Sequence, residues 1–128
     1  MSTLRPTRWA ATLDRHAPLP EYPRPQLVRD SYLNLNGLWD YAFTGQAAGP
    51  EGSLGGSAPA VFDGEIVVPF SPESVLSGVG RQLQPYEALW YRREVSLPAG
   101  FVPRGGRVLL HFGAVAQSCR VLVDGVEV

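Results

Sequence analysis

Apolar and polar positions change places in short runs along this chain, and no window holds the i, i+3, i+4, i+7 spacing of an amphipathic helix over three turns. The strongest run is LNLNGLWDYAF, Leu33 to Phe43. There Asn36 and Gly37 interrupt, after which Leu38, Asp40 and Ala42 alternate with Trp39, Tyr41 and Phe43. That alternation predicts a strand whose aromatic side faces a core. EIVVPF (Glu65 to Phe70), LWYRREVSL (Leu89 to Leu97) and RVLLHF (Arg107 to Phe112) are rich in β-branched and aromatic residues and predict three more strands. The final run, SCRVLVDGVEV, places Asp124 and Gly125 between two apolar stretches. This pair suits the positive φ angles of a type I′ hairpin turn.

Prolines and glycines divide these runs. Five prolines precede Arg29 (Pro6, Pro18, Pro20, Pro23 and Pro25), each lacking a backbone donor, so residues 1–29 read as an extended arm. Residues 30–128 form the domain proper. The stretch from Gly45 to Ala60 holds five glycines and two prolines without apolar periodicity and predicts a flexible surface loop. SPESVLSGVG offers one helical turn, with Ser71 as its N-cap and Pro72 at its first position. About six short strands within roughly 100 residues make the class all-β and favour two packed antiparallel sheets, in a jelly-roll sandwich.

Composition narrows the function classes. All 11 basic residues are arginine, spread from Arg5 to Arg120, and the net charge is −1, so no basic face is set up for nucleic acid. The one cysteine, Cys119, excludes an internal disulfide and a cysteine-ligated zinc, which points to a reducing compartment. Neither a secretory apolar stretch nor a run of about 18 apolar residues is found, and a cytoplasmic, non-membrane protein is expected.

Chemistry-bearing residues are few. Asp63 with Glu65, or Asp124 with Glu127, resemble paired carboxylates, but both pairs flank predicted turns, where acidic residues are solvated. His16 sits in the arm. His111 alternates between Leu110 and Phe112 and reads as a sheet histidine, and Cys119, within AQSCRVLV, reads as a buried inert thiol. No metal or cofactor is implied. Trp90, Tyr91, Arg92 and Arg93 are the most unusual cluster, combining flat apolar rings with guanidinium donors that suit a sugar. Strand alternation splits them into Trp90 with Arg92 and Tyr91 with Arg93, which favours packing and an ion pair.

Taken in order, these motifs resemble a known family. WYRR (Trp90 to Arg93), the strand end Phe112 to Val115, and the hairpin Val121 to Gly125 resemble the N-terminal sugar-binding domain of glycoside hydrolase family 2. That family includes β-galactosidases, β-glucuronidases and β-mannosidases. Upstream, PRPQLVRDSYLNLNGLWDYAF is similar to the family's arginine-proline arm and L-N-G-x-W opening, and IVVPFSPES to its V-P strand and loop. Ala116 stands where many relatives carry an acidic residue, and the G-x-H-x-G-G-Y continuation is not reached.

The resemblance implies a galactose-binding-like jelly roll, C-terminally incomplete, that buttresses a catalytic barrel absent from this chain. In the family, one barrel glutamate attacks the anomeric carbon while another serves as acid and then base. No catalytic residue is therefore assigned here. The first domain reaches the sugar through a polar residue just after V-P, which matches Ser71 as the substrate-binding residue. The partners implied are a β-glycoside and the barrel, with homo-oligomers open. A free-standing carbohydrate-binding module and a structural interaction domain are the alternatives.

Overall fold

The structure, a computed structural model, describes residues 7–45, 57–116 and 118–128. Most of the predicted glycine-rich loop and the first six residues of the arm lie outside them. Among the described residues the fold is β-rich and antiparallel: β1 (Gly37–Gly45), β2 (Gly64–Val68) and β3 (Glu87–Arg92) form one sheet in the order β2-β1-β3. β4 (Leu122–Val123) and β5 (Val126–Glu127) form a separate hairpin. The second full sheet expected of a sandwich is not present among them.

β1 begins at Gly37 and not at Leu33, for local reasons. The Asn34 side chain accepts a hydrogen bond from the Asn36 N–H at 2.9 Å, which bends the chain just before the strand. Gly37 then adopts φ +124°, and a Cβ there would lie 2.5 Å from the His16 carbonyl oxygen. Only glycine fits so close a backbone approach.

The register places Trp39, Tyr41 and Phe43 on one face, opposite Ile66, Tyr91 and Leu89 respectively. Gly64 also faces Tyr41, and the tyrosine ring covers the position a Gly64 side chain would fill. The other face carries Leu38 opposite Val67, Asp40 opposite Arg92 and Ala42 opposite Trp90. Ile66 is fully buried on the aromatic face, while Val67 and Ala42 are buried on the other. The core is thus two-sided, not confined to the aromatic side of β1. Burying each of the Ile66 and Val67 side chains contributes about 1.5–3 kcal/mol.

The arm departs from the extended form expected of it. It contains two 3₁₀ turns, Ala10–Thr12 and Pro25–Leu27, and Pro18 is buried. The Asn36 amide donates to the carbonyls of Pro18 (3.2 Å) and Leu19 (3.4 Å), and the Asn34 amide donates to Leu19 (3.2 Å). Residues 19–34 are thereby closed into a loop. Within it the rings of Tyr22 and Tyr32 lie 4.4 Å apart and the Tyr22 hydroxyl donates to the Leu27 carbonyl.

Beyond β3 the sequence expectation fails in two places. The strand foreseen to Leu97 stops at Arg92, because the Arg93 side chain turns to donate to the carbonyls of Leu35 (2.7 Å) and Asn36 (3.0 Å). RVLLHF forms no strand. None of its backbone groups bonds to another described backbone group, and Val108, Leu109, Leu110 and Phe112 are each about half exposed. Strand propensity without a ladder partner does not make a strand. The hairpin does form as expected, with Asp124 at φ 51° and Gly125 at φ 82°. No described helix is long and apolar enough to cross a membrane.

Candidate functional site

The segment after β2 carries the one residue that the sequence marks for sugar contact. The Val68–Pro69 peptide is cis, and the Phe70 N–H closes back on the Val67 carbonyl at 3.1 Å. Ser71 follows, exposed. It is not the N-cap foreseen from the sequence: its carbonyl accepts from the Ser74 N–H (2.9 Å), so the first turn is spent before the helical one starts. Ser74 caps instead, its hydroxyl accepting from the Leu76 N–H ahead of the 3₁₀ turn Val75–Ser77. The fully buried Ser77 hydroxyl donates to the Ser74 carbonyl (2.7 Å) and accepts from the Val79 N–H (3.0 Å).

This loop returns to the aromatic face of the sheet. The Arg81 N–H donates to the Pro72 carbonyl at 2.9 Å, the Arg81 guanidinium stacks 3.9 Å from the Phe43 ring centroid, and it pairs with Glu87. Ser71 opens this loop as an exposed residue.

The electrostatics show what surrounds it. The Glu73 carboxyl is held below its ordinary range first by its own backbone N–H and next by a hydrogen bond from the Ser71 side chain. The Tyr91 hydroxyl is pushed up, chiefly by burial and secondarily by the negative charge of Glu73. Ser71 and Glu73 thus share a hydrogen bond, and the charge of Glu73 is felt at Tyr91. A hydroxyl, a carboxylate and a phenol supply the donors and acceptors that a polyhydroxylated ring requires. No protein-family model matches the chain, and no curated protein matches it.

Glu73 and Tyr91 were not singled out as a pair by the sequence. Eighteen positions separate them, so the influence of the Glu73 charge on Tyr91 comes from the fold and not from the local sequence. The S-P-E spacing was the one local signal available.

The other sequence candidates are dispersed. Trp90 and Arg92 do lie on the face opposite Tyr91: Arg92 grips Asp40 through Nε (3.0 Å) and Nη2 (2.7 Å) and covers the Phe62 ring, while Trp90 Nε1 donates to the Thr44 hydroxyl (3.0 Å). Asp63 accepts from the Phe43 N–H at 2.8 Å, and Glu127 pairs with Arg120. Glu65 and Asp124 are exposed. His111 is exposed and outside any strand, and Cys119 is exposed, not buried, since no second sheet covers either segment among the described residues. His16 is exposed in the arm. No group of three or more potential metal ligands occurs among the described residues. An open cleft of about 160 Å³ lies between Leu33–Leu35 and Arg93–Ser96, where Arg93 is already engaged by backbone carbonyls.

Proposed function

We propose that this chain is the N-terminal, non-catalytic sugar-binding-type domain of a cytoplasmic retaining β-glycosidase of glycoside hydrolase family 2. Four motifs in the family's order support the reading: the L-N-G-x-W opening, the V-P loop, WYRR and the V-x-V-D-G hairpin. In the jelly roll that this implies, a second sheet would pack against the sheet β2-β1-β3. The catalytic glutamates belong to a separate barrel, and the role left to this domain is to form one wall of its pocket.

The observation that carries the proposal is the exposed Ser71, two residues beyond Pro69, whose side chain hydrogen-bonds Glu73. In this reading the Ser71 oxygen, whose proton goes to Glu73, accepts from a sugar hydroxyl, Glu73 accepts from a neighbouring one, and the Tyr91 ring packs against the sugar's apolar side. The loss of one neutral hydrogen bond in Ser71→Ala weakens binding by about 0.5–1.5 kcal/mol.

The test is an NMR titration of the labelled chain with methyl β-glycosides of galactose, glucuronic acid and mannose. Saturable shifts at Ser71, Glu73 and Tyr91 with one of these sugars, reduced in Ser71→Ala, are expected. Shifts confined to other residues, or none with any sugar, would remove the basis of the proposal. So would turnover of aryl β-glycosides that vanishes on replacing one acidic residue of this chain.

A further inference from the structure

Asn36 and Gly37 stand in the order that lets a backbone nitrogen attack a side-chain amide with least hindrance, because glycine puts no Cβ beside the attacking atom. The Gly37 nitrogen closes on Asn36 Cγ, the Cγ–Nδ2 bond breaks, and ammonia leaves a five-membered succinimide. Water then opens the ring at either carbonyl, to aspartate or to isoaspartate. No oxidant or reductant is needed: amide and water give acid and ammonia. The other asparagine, Asn34, precedes Leu35, whose branched side chain crowds the same approach.

The fold sets this chemistry on the residue that docks the arm. The leaving nitrogen, Nδ2, is the atom that donates to the Pro18 and Leu19 carbonyls at 3.2 and 3.4 Å. While both bonds stand, the amide is committed to the arm. The bond to Leu19 is exposed, so water has access to it. From another direction, Arg93 Nη1 donates to the Asn36 carbonyl oxygen at 3.0 Å. The attacking species is the deprotonated Gly37 nitrogen, whose negative charge spreads through the peptide onto that same oxygen. The guanidinium favours this form, so Arg93 primes the peptide while the docked arm restrains the side chain.

The product cannot remake the contact. A carboxylate only accepts, so the Pro18 and Leu19 carbonyls would meet a negative charge where they had a donor. Isoaspartate also adds a methylene to the backbone just before Gly37, where even a Cβ would come within 2.5 Å of the His16 carbonyl oxygen.

We propose that Asn36 is a self-modification site, at which deamidation irreversibly undocks the N-terminal arm from the start of β1 and the docked arm holds the reaction back. Sugar contact plays no part in it, and Ser71, Glu73 and Tyr91 are not involved.

The test is peptide mapping by mass spectrometry of the full chain held at mildly alkaline pH. Hydrogen exchange over residues 19–34 reads the dock, and tryptophan fluorescence reads the sheet around Trp39 and Trp90. Conversion at Asn36 and not at Asn34 is expected, with fast loop exchange in every converted chain. Asn34→Ala removes a further bond to Leu19, opens the dock more often and should speed conversion about tenfold. If that variant loses its sheet, wild-type chain in urea below the sheet's transition replaces it, and conversion should rise in step with loop exchange. Asn36→Asp should show the undocked exchange pattern from the outset. No conversion once the loop is open, conversion independent of loop exchange, slow exchange retained in converted chain or in Asn36→Asp, or equal conversion at Asn34 would each overturn the proposal.

Discussion

The stretch from Gly37 to Arg92 and the stretch from Arg93 to Val128 are equally rich in strand-forming residues, yet only the first is a packed sheet. The difference lies in how far their contacts reach. In the first, Arg92 holds Asp40 and Trp90 holds Thr44 from positions 52 and 46 residues away. In the second, the hydrogen bonds among described residues that lie wholly within it are local: Phe101 to Pro98, Gly106 to Pro103, Val128 to Val121, and Arg120 to Glu127. A run such as RVLLHF is a strand only when something distant accepts its ladder.

The sharpest way to break this contrast is to truncate one β-branched side chain to alanine in each region. Ile66→Ala, at a fully buried site, is expected to cost about 2–5 kcal/mol in urea denaturation followed by tryptophan fluorescence. Val126→Ala, two-thirds exposed, should stay within about 0.5 kcal/mol. Equal losses would mean that the C-terminal stretch packs as tightly as the sheet.

Next in size is Gly37→Ala. The substitution combines a positive φ with overlap on the His16 carbonyl, and about 1–3 kcal/mol should be lost, read from the same midpoint. Asn36→Ala removes the amide that closes residues 19–34 and should cost about 1 kcal/mol, with faster hydrogen exchange confined to that loop. Asp40→Asn tests the ion pair that ties β3 to β1. Both partners are well exposed, so about 0.2–1 kcal/mol is expected, shrinking as salt rises.

The smallest effect belongs to the hairpin. Glu127 is held below its ordinary value of 4.5, first by the Arg120 hydrogen bond and next by its charge. A carboxyl with a depressed folded pKa stabilises above its unfolded value and loses that contribution as pH falls through the folded one. Acidification below about pH 4.5 should therefore loosen the hairpin resonances of Asp124 and Gly125 in NMR spectra, and Glu127→Gln should abolish that pH dependence.

The elements legible in the sequence were those set by neighbours in the chain. Asp124–Gly125 dictates its own turn, and period-two alternation was enough to separate Trp90 and Arg92 from Tyr91 and Arg93. What could not be read depends on partners remote in sequence. Arg93 ends β3 only because Leu35 and Asn36 offer it carbonyls, and Ser74 takes the cap only because Ser71 is already committed to a preceding turn. Cys119 looked buried because an apolar strand usually has a second layer over it. Of the candidate site, Ser71 was proposed from its place after V-P, whereas the effect of the Glu73 charge on Tyr91 depends on the fold.

The amide of Asn36 gives the molecule a mechanical property as well. Because this residue grips Pro18 and Leu19 and is covalently joined to Gly37, a pull on the chain upstream of Pro18 bypasses the intervening loop and arrives directly at the start of the central strand. The slack held in residues 19–34 is released only after those two hydrogen bonds and the Asn34 bond fail, so the arm acts as a short stiff tether until it yields and a long compliant one afterwards.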